Sequence, residues 1–170
     1  MSKLVDRKKS GIFSALDIAK YLNYLHNKIY GKDISPLKLQ KVLFFLFGEW
    51  GAFVQKASDE NDGKKLKEYS KYLFNEDFQS WVYGPVINEV YKHFNNEQLS
   101  EEELFNDDRK RYVGSFIKDL AQELFELSDF RLVELTHQMD CWKNKFNPEQ
   151  AYHNNVMDKE EIINEFARQI

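Results

Sequence analysis

The residues best suited to metal chemistry are His137 and Cys141, which lie four positions apart. On a helix this spacing places both side chains on one face, where they could ligate the same ion. A structural zinc site needs four ligands, and the other histidines, His26, His93 and His153, lie on separate segments. The pattern therefore favours ordinary hydrogen-bonded histidines, and we expect no bound metal.

The sequence carries no recognisable catalytic motif. No serine occupies a glycine-flanked nucleophile elbow, and no glycine cluster precedes a helix to cradle phosphate. The many carboxylates occur in charged runs, which are typical of solvated surfaces rather than of an acid with a raised pKa. The single cysteine excludes an intramolecular disulfide. We therefore expect a protein that is not an enzyme and uses no cofactor.

Two aromatic segments are better candidates for a binding surface. Residues 81–91 contain Tyr83 and the Gly84-Pro85 pair, and residues 135–137 are followed by Trp142. Rigid aromatic side chains are common hot spots of protein interfaces. The alternative is that the same residues pack a turn and a helix end onto the core.

Two lysines border this set of candidates. Lys38 and Lys41 belong to an otherwise apolar helix, so we expect their charges to reach water or an acidic group at its exposed edge. There they would either steer an acidic partner or form a plain solvated edge. The residues that we predict to contact a partner are Lys38, Lys41, Trp81, Tyr83, Gly84, Pro85, Tyr91, Thr136, His137 and Trp142.

The elements that must position these residues begin at clear helix-capping residues. Ser14 precedes a helical apolar repeat that Gly31 can end, and Ser35-Pro36 opens a second repeat. Ser128 or Asp129 can cap a later helix, and Asp158 can cap the last one. The second helix is apolar on nearly every side, so we expect it to lie at the centre of the fold.

The region between the helices predicts one small β-element. Residues 74–83 are short and aromatic, and Gly84-Pro85 is a strong breaker that we expect to form the turn, with Pro85 able to start the next helix. Residues 56–73 are polar and are interrupted by Gly63, so we expect an exposed loop with at most one helical turn.

Composition sets the class of protein. The chain has 170 residues, 42% of them hydrophobic and 15% aromatic, with a net charge of −4. These values exclude a wholly disordered chain, and 7 Gly and 3 Pro are too few for a many-turned β-sandwich. We expect a mainly α, single compact domain of about six helices over residues 14–170, preceded by a flexible basic arm over residues 1–13.

The location follows from the same composition. The longest apolar run, Val42 to Phe47, is far shorter than the roughly 20 residues of a membrane-spanning helix. No charged and apolar leader opens the chain, so secretion has no support. We expect a cytoplasmic protein that does not contact the membrane.

Four segments in order resemble the SocA-like Panacea domain, an antitoxin domain that also occurs in phage-associated proteins. The resemblance spans about Ser14 to Phe166. The matching segments are residues 15–21, residues 34–43 with their lysines, residues 78–86 with Tyr91, and residues 135–137 with Trp142.

The resemblance implies an antitoxin-like protein that neutralises a cognate toxin by direct contact. Some members of the family act as adaptors that deliver the toxin to a protease, so a cellular protease is a second implied partner. The alternative is a phage- or mobile-element-associated regulator that binds nucleic acid without catalysis. That alternative depends on the basic residues Lys3, Arg7, Lys8, Lys9, Lys64, Lys65 and Lys67, and the acidic net charge makes it the weaker hypothesis.

Overall fold

The computed structural model describes residues 10–59, 66–150 and 155–169. Within these ranges the chain forms eight α-helices and one antiparallel pair of strands, which confirms the mainly α prediction. The helices are α1 (Ala15–Tyr30), α2 (Pro36–Asp59), α3 (Asn88–His93), α4 (Glu101–Leu104), α5 (Asp108–Phe125), α6 (Asp129–His137), α7 (Asp140–Lys143) and α8 (Lys159–Arg168). The strands are β1 (Phe78–Trp81) and β2 (Gly84–Ile87), and short 3₁₀ turns occupy Leu66–Glu68 and Pro148–Gln150.

The helix starts follow the capping residues. The Ser14 hydroxyl accepts a hydrogen bond from the Asp17 N–H at 3.1 Å, and the Ser128 hydroxyl accepts one from the Arg131 N–H at 3.1 Å. Asp158 caps α8 in the same way. Each of these bonds satisfies a backbone N–H that the first turn of a helix leaves unpaired, so the local sequence fixes where these helices begin.

Helix α2 is the centre of the fold, as the sequence predicted. Helices α1, α5, α6 and α8 all contact it, and most of its large side chains are buried, with Trp50, Phe44 and Phe47 fully enclosed. Gly48 allows α8 to approach closely, because a Cβ at this position would overlap the Phe166 ring. Among the described residues, no helix is both long enough and apolar enough to cross a membrane.

The predicted loop at residues 56–73 is shorter and less exposed than expected. Helix α2 continues to Asp59, and the end of the segment folds back onto it. The Trp50 indole N–H donates to the Ser70 carbonyl at 2.9 Å, and Leu73 and Phe74 are buried. The polar composition concealed this packing because only the last residues of the segment are apolar. Residues 60–65 lie outside the described ranges.

A small hairpin forms as expected, but it spans Phe78–Ile87 rather than residues 74–83, and its turn is not the expected one. Trp81 pairs with Gly84, so the turn consists of Val82 and Tyr83. Gly84 and Pro85 begin β2, and α3 starts only at Asn88, so the predictions that they form the turn and that Pro85 starts the helix are wrong. Pro85 has no backbone N–H to donate, and its carbonyl accepts a hydrogen bond from outside the hairpin, as described below.

A third segment completes the sheet on the other side of β1. Val156 forms an isolated antiparallel bridge with Gln79, and the Ser80 N–H donates to the Asn155 carbonyl at 2.8 Å. The Met157 N–H donates to the Phe78 carbonyl, also at 2.8 Å. The outer edge of β1 is therefore paired by residues close to α8.

Part of the predicted basic arm is packed. The Gly11 N–H donates to the Asn75 side-chain oxygen at 2.6 Å, and the Phe13 N–H donates to the Leu73 carbonyl at 3.0 Å. The Phe13 ring meets Phe105 edge-on at 5.7 Å. The folded part of the chain therefore begins before the predicted boundary at Ser14. Residues 1–9 lie outside the described ranges.

The central position of α2 predicts that the hairpin and helices α3 to α7 do not fold without it. A fragment of residues 66–150 lacks α2, and with it the side chains that bury the inner faces of α5 and α6. We expect its circular dichroism to show little helix and no cooperative thermal transition, whereas the full chain melts cooperatively. A cooperative transition of the fragment would contradict this description of the core.

Candidate functional site

Two side chains of α2 hold the hairpin onto the helix. The Gln40 amide forms a pair of hydrogen bonds with Ile87, donating to its carbonyl at 3.2 Å and accepting from its N–H at 2.8 Å. The Lys41 amine donates to the Pro85 carbonyl at 3.0 Å. These bonds replace a neighbouring strand along the edge of β2, so backbone groups that would be buried without a partner are satisfied.

Lys41 does not lie at an exposed edge. Its side chain is fully buried and reaches a carbonyl, so the prediction that its charge finds water or an acidic group is wrong. Burial lowers the pKa of the Lys41 amine to about 7, because the charged form loses its hydration. The helical pattern alone could not show this, since the acceptor lies 44 positions further along the chain.

Gly84 is required where the hairpin crosses Lys41. Its φ angle is +109°, a conformation that residues with a side chain rarely adopt. A Cβ at this position would also lie 2.6 Å from the Thr136 hydroxyl oxygen and 2.7 Å from Cε of Lys41. The glycine therefore lets β2, α2 and α6 meet at one point.

Lys38 joins α2 to the start of α6. Its amine donates to the Phe125 carbonyl at 2.8 Å and lies 3.7 Å from the Asp129 carboxylate. The Ser35 hydroxyl donates to the same carboxylate at 2.6 Å. The Lys38 charge reaches an acidic group, as expected, but that group, Asp129, belongs to this chain. Lys38 therefore fixes the position of α6.

The predicted residues of α6 and α7 hold the tip of the hairpin. The His137 Nε2–H donates to the Val82 carbonyl and the Trp142 indole N–H donates to the Trp81 carbonyl, each at 2.9 Å. The His137 and Trp142 rings are stacked with centroids 4.3 Å apart, and Thr136 is buried and donates to a carbonyl of its own helix. Changing His137 or Trp142 therefore affects the fold as well as any partner surface.

Only part of the predicted set faces solvent. Tyr83 is 56% exposed at the hairpin turn, and Tyr91 is 65% exposed on α3. Trp81 is half-buried, meets the Tyr91 ring edge-on at 5.1 Å, and donates its indole N–H to the Gln79 side chain at 2.8 Å. Tyr83 and Tyr91, with Trp81 beneath them, are the members of the set that are placed to touch another molecule.

The sequence did not single out two residues that stand out in the structure. Gln40 pairs with Ile87 in the core, and the signal for it was an amide in a helix that is apolar on nearly every side. Phe130 is 78% exposed on α6, beside a shallow groove of about 430 Å³. No signal in the sequence marked Phe130.

The thiol of Cys141 is enclosed. Burial, followed by the nearby Glu165 carboxylate, raises its pKa. That carboxylate accepts hydrogen bonds from the N–H groups of Asp140 at 2.9 Å and Cys141 at 2.7 Å, so it caps α7. The described residues contain no group of three or more side chains able to hold a metal ion.

Comparison with protein families identifies part of the chain. Residues 61–143 match the family described as antitoxin SocA-like, Panacea domain, which confirms the resemblance over this range. The range contains the hairpin and α3 to α7, and it excludes Gln40 and Lys41. Neither the curated proteins nor the solved structures contain a significant match to the chain.

Buried Lys41 predicts a pH-dependent stability. Its pKa of about 7 in the folded protein lies below the roughly 10.4 of an unfolded lysine, so between these values the unfolded chain binds more protons. The contribution of Lys41 to the free energy of unfolding therefore rises with pH from about 7 to about 10, by up to about 1.4 kcal/mol per pH unit.

The substitution Lys41→Met removes this titration. In urea titrations between about pH 7 and pH 9, the difference in unfolding free energy should move in favour of the wild type as pH rises. Lys56→Met, at an exposed position of α2, is the control and should follow the wild-type pH profile. Parallel profiles for wild type and Lys41→Met would contradict the burial of this amine.

Proposed function

Because residues 61–143 match the SocA-like Panacea antitoxin family, we propose that this protein is an antitoxin-like binding protein that neutralises a cognate toxin by direct contact. We propose further that it acts in the cytoplasm and without catalysis. The observation that carries the proposal is the exposure of Tyr83 at the turn of a firmly held hairpin and of Tyr91 on the adjoining α3, both inside the matched range.

The backbone beneath these side chains supports a binding role. The carbonyls of Trp81, Val82 and Pro85 each accept a hydrogen bond from a side chain of another element. A tip fixed in this way loses little conformational freedom when a partner covers it. Exposed tyrosines on a rigid support are typical of the residues that dominate protein interfaces.

One cavity of the described residues gives no support to general-acid catalysis. A cavity of about 580 Å³ lies between α1, α4 and α5. Within it the Lys118 amine lies 2.9 Å from the Glu101 carboxylate, which also accepts from the Tyr21 hydroxyl at 3.3 Å. Lys118 lowers the pKa of Glu101, so this carboxyl group stays ionised and is poorly suited to act as a general acid.

Two routes to neutralisation remain to be separated by experiment. Contact alone blocks the toxin and leaves its amount unchanged, whereas delivery to a protease lowers it. The nucleic-acid alternative receives no support from the structure, because Lys3, Arg7, Lys8, Lys9, Lys64 and Lys65 lie outside the described residues.

Co-expression with the protein encoded by the neighbouring reading frame tests the proposal. We expect that protein to arrest growth when expressed alone, and growth to recover when this chain is co-expressed. The two proteins should also elute together in size-exclusion chromatography. An unchanged level of the toxin would indicate neutralisation by contact, and a lowered level would indicate delivery to a protease. Continued growth arrest without co-elution would contradict the function.

A further inference from the structure

Glu49 places a carboxylate in the middle of the apolar helix α2. Its side chain is half-buried, and it forms no hydrogen bond and no ion pair with any residue that the structure describes. Burial raises the pKa of the Glu49 carboxyl, and no charged group in the described part of the chain adds to this effect or opposes it. By contrast, the buried Glu165 carboxylate accepts two backbone N–H groups, and the Glu101 carboxylate lies 2.9 Å from the Lys118 amine. The Glu49 carboxylate is therefore partly desolvated without a partner.

Aromatic residues flank Glu49 along α2. Phe45 lies four residues before it and Phe53 four residues after it, so the three side chains are neighbours on one face of the helix. The Phe45 ring meets the Phe166 ring of α8 at 5.8 Å, and the Phe53 ring stacks on the Phe116 ring of α5 at 5.6 Å. Phe45, Glu49 and Phe53 form a strip about 12 Å long, which we name the α2 stripe.

The α2 stripe is an uncovered part of a helix that is otherwise enclosed. Leu46 and Trp50 are fully buried, whereas Phe53 is 37% exposed and Phe45 and Glu49 are half-buried. Lys56 follows Glu49 by seven residues, about 10 Å further along the helix, and forms no ion pair with it. An apolar strip with one unpaired carboxylate complements a segment that has apolar residues and one basic side chain.

The charge of the whole chain supports the same kind of partner. A net charge of −4 attracts a basic protein over distances longer than a contact. At Glu49, part of the desolvation that an ion pair across an interface requires has occurred before the partner arrives, because the side chain is already half-buried. A basic side chain that reaches this carboxylate therefore meets a reduced desolvation cost.

We infer that the α2 stripe is a docking site for a basic segment of the toxin, in which a lysine or arginine pairs with Glu49 and the adjoining apolar residues pack on Phe45 and Phe53. This inference rests on the proposed function. The strip is smaller than the roughly 800 Å² that each partner contributes to a standard interface, so it forms one part of the contact. Its tests involve neither Tyr83 nor Tyr91.

The first test removes the charge of Glu49. The probe is the protein encoded by the neighbouring reading frame, separated from this chain in guanidinium, refolded and titrated calorimetrically. Glu49→Gln should weaken binding at least about 10-fold, because the basic side chain of the probe is left without its partner. The unbound variant should melt at or above the wild-type temperature, since a neutral amide is easier to bury than a carboxylate.

The control for this charge is Glu103→Gln. It removes a carboxylate from an exposed position of α4 and should change affinity less than about 3-fold. Equal losses of affinity in both variants would indicate a general charge effect and would overturn the pairing at Glu49.

The second test changes the ring beside Glu49. Phe53→Ala should weaken binding at least about 5-fold, whereas Phe130→Ala, which removes a ring that is 78% exposed on α6, should change it less than about 3-fold. Phe53→Lys should weaken binding more than Phe53→Ala does. It places a cation four residues after Glu49, where the two side chains pair within the helix and stabilise it. Weaker binding of Phe53→Ala than of Phe53→Lys would contradict a basic occupant.

The third test identifies the basic residue of the partner. Each lysine and arginine of the probe is replaced by alanine in turn, and each variant is titrated against wild type and against Glu49→Gln. One replacement should weaken binding to wild type at least about 10-fold but binding to Glu49→Gln less than about 3-fold, because the two residues form one pair. The absence of any such coupled residue would overturn the inference.

The outcomes separate this inference from the function. If wild type binds the probe and Glu49→Gln binds equally well, the docking site is wrong while the antitoxin-like function stands. If wild type does not bind the probe, both fail. If Glu49→Gln instead abolishes a concentration-dependent dimer of this chain in sedimentation analysis, the α2 stripe joins two copies, and the inference is overturned.

Discussion

The fold depends on the hydrogen bonds by which α2 closes the edge of β2. A two-stranded hairpin is marginal on its own, and each unpaired buried backbone group costs about 1–3 kcal/mol. Gln40 and Lys41 supply the missing partners at Ile87 and Pro85 from inside a helix that is otherwise apolar. The position of the hairpin, and of every side chain that it carries, is therefore set from the centre of the core.

Because the hairpin is held from the core, the aromatic and polar residues of the motifs fall into two groups. One group supports the hairpin, and the other faces solvent. His137 and Trp142 use their ring N–H groups to hold carbonyls of the hairpin tip, and Thr136 is buried beside Gly84. Little of these three residues is left for a partner. The family match covers the hairpin and its supports in α6 and α7, while the anchoring residues of α2 lie before it. The matched segment is thus held in place by residues that lie before it.

The sequence predicted those features whose causes are local. Capping at Ser14, Ser128 and Asp158 marked helix starts, and the all-round apolar pattern marked α2 as central. Features that depend on distant partners were missed or misplaced. Lys41 was expected to reach water or an acidic group at an exposed edge, and its real acceptor could not be foreseen because it belongs to another element. The exposure of Phe130 depends on which helices leave that face uncovered. The four-residue helices α4 and α7 are too short to show a helical period.

The most direct test of the central role of this edge is hydrogen exchange at the Ile87 amide. The N–H of Ile87 donates to the Gln40 side chain rather than to a strand, so its protection depends on that bond. We expect slow exchange in the wild type, and in Gln40→Ala an acceleration of at least about 10-fold at Ile87, while the core amides of α5 stay protected. Rapid exchange of Ile87 in the wild type, or equal protection in both proteins, would contradict the account.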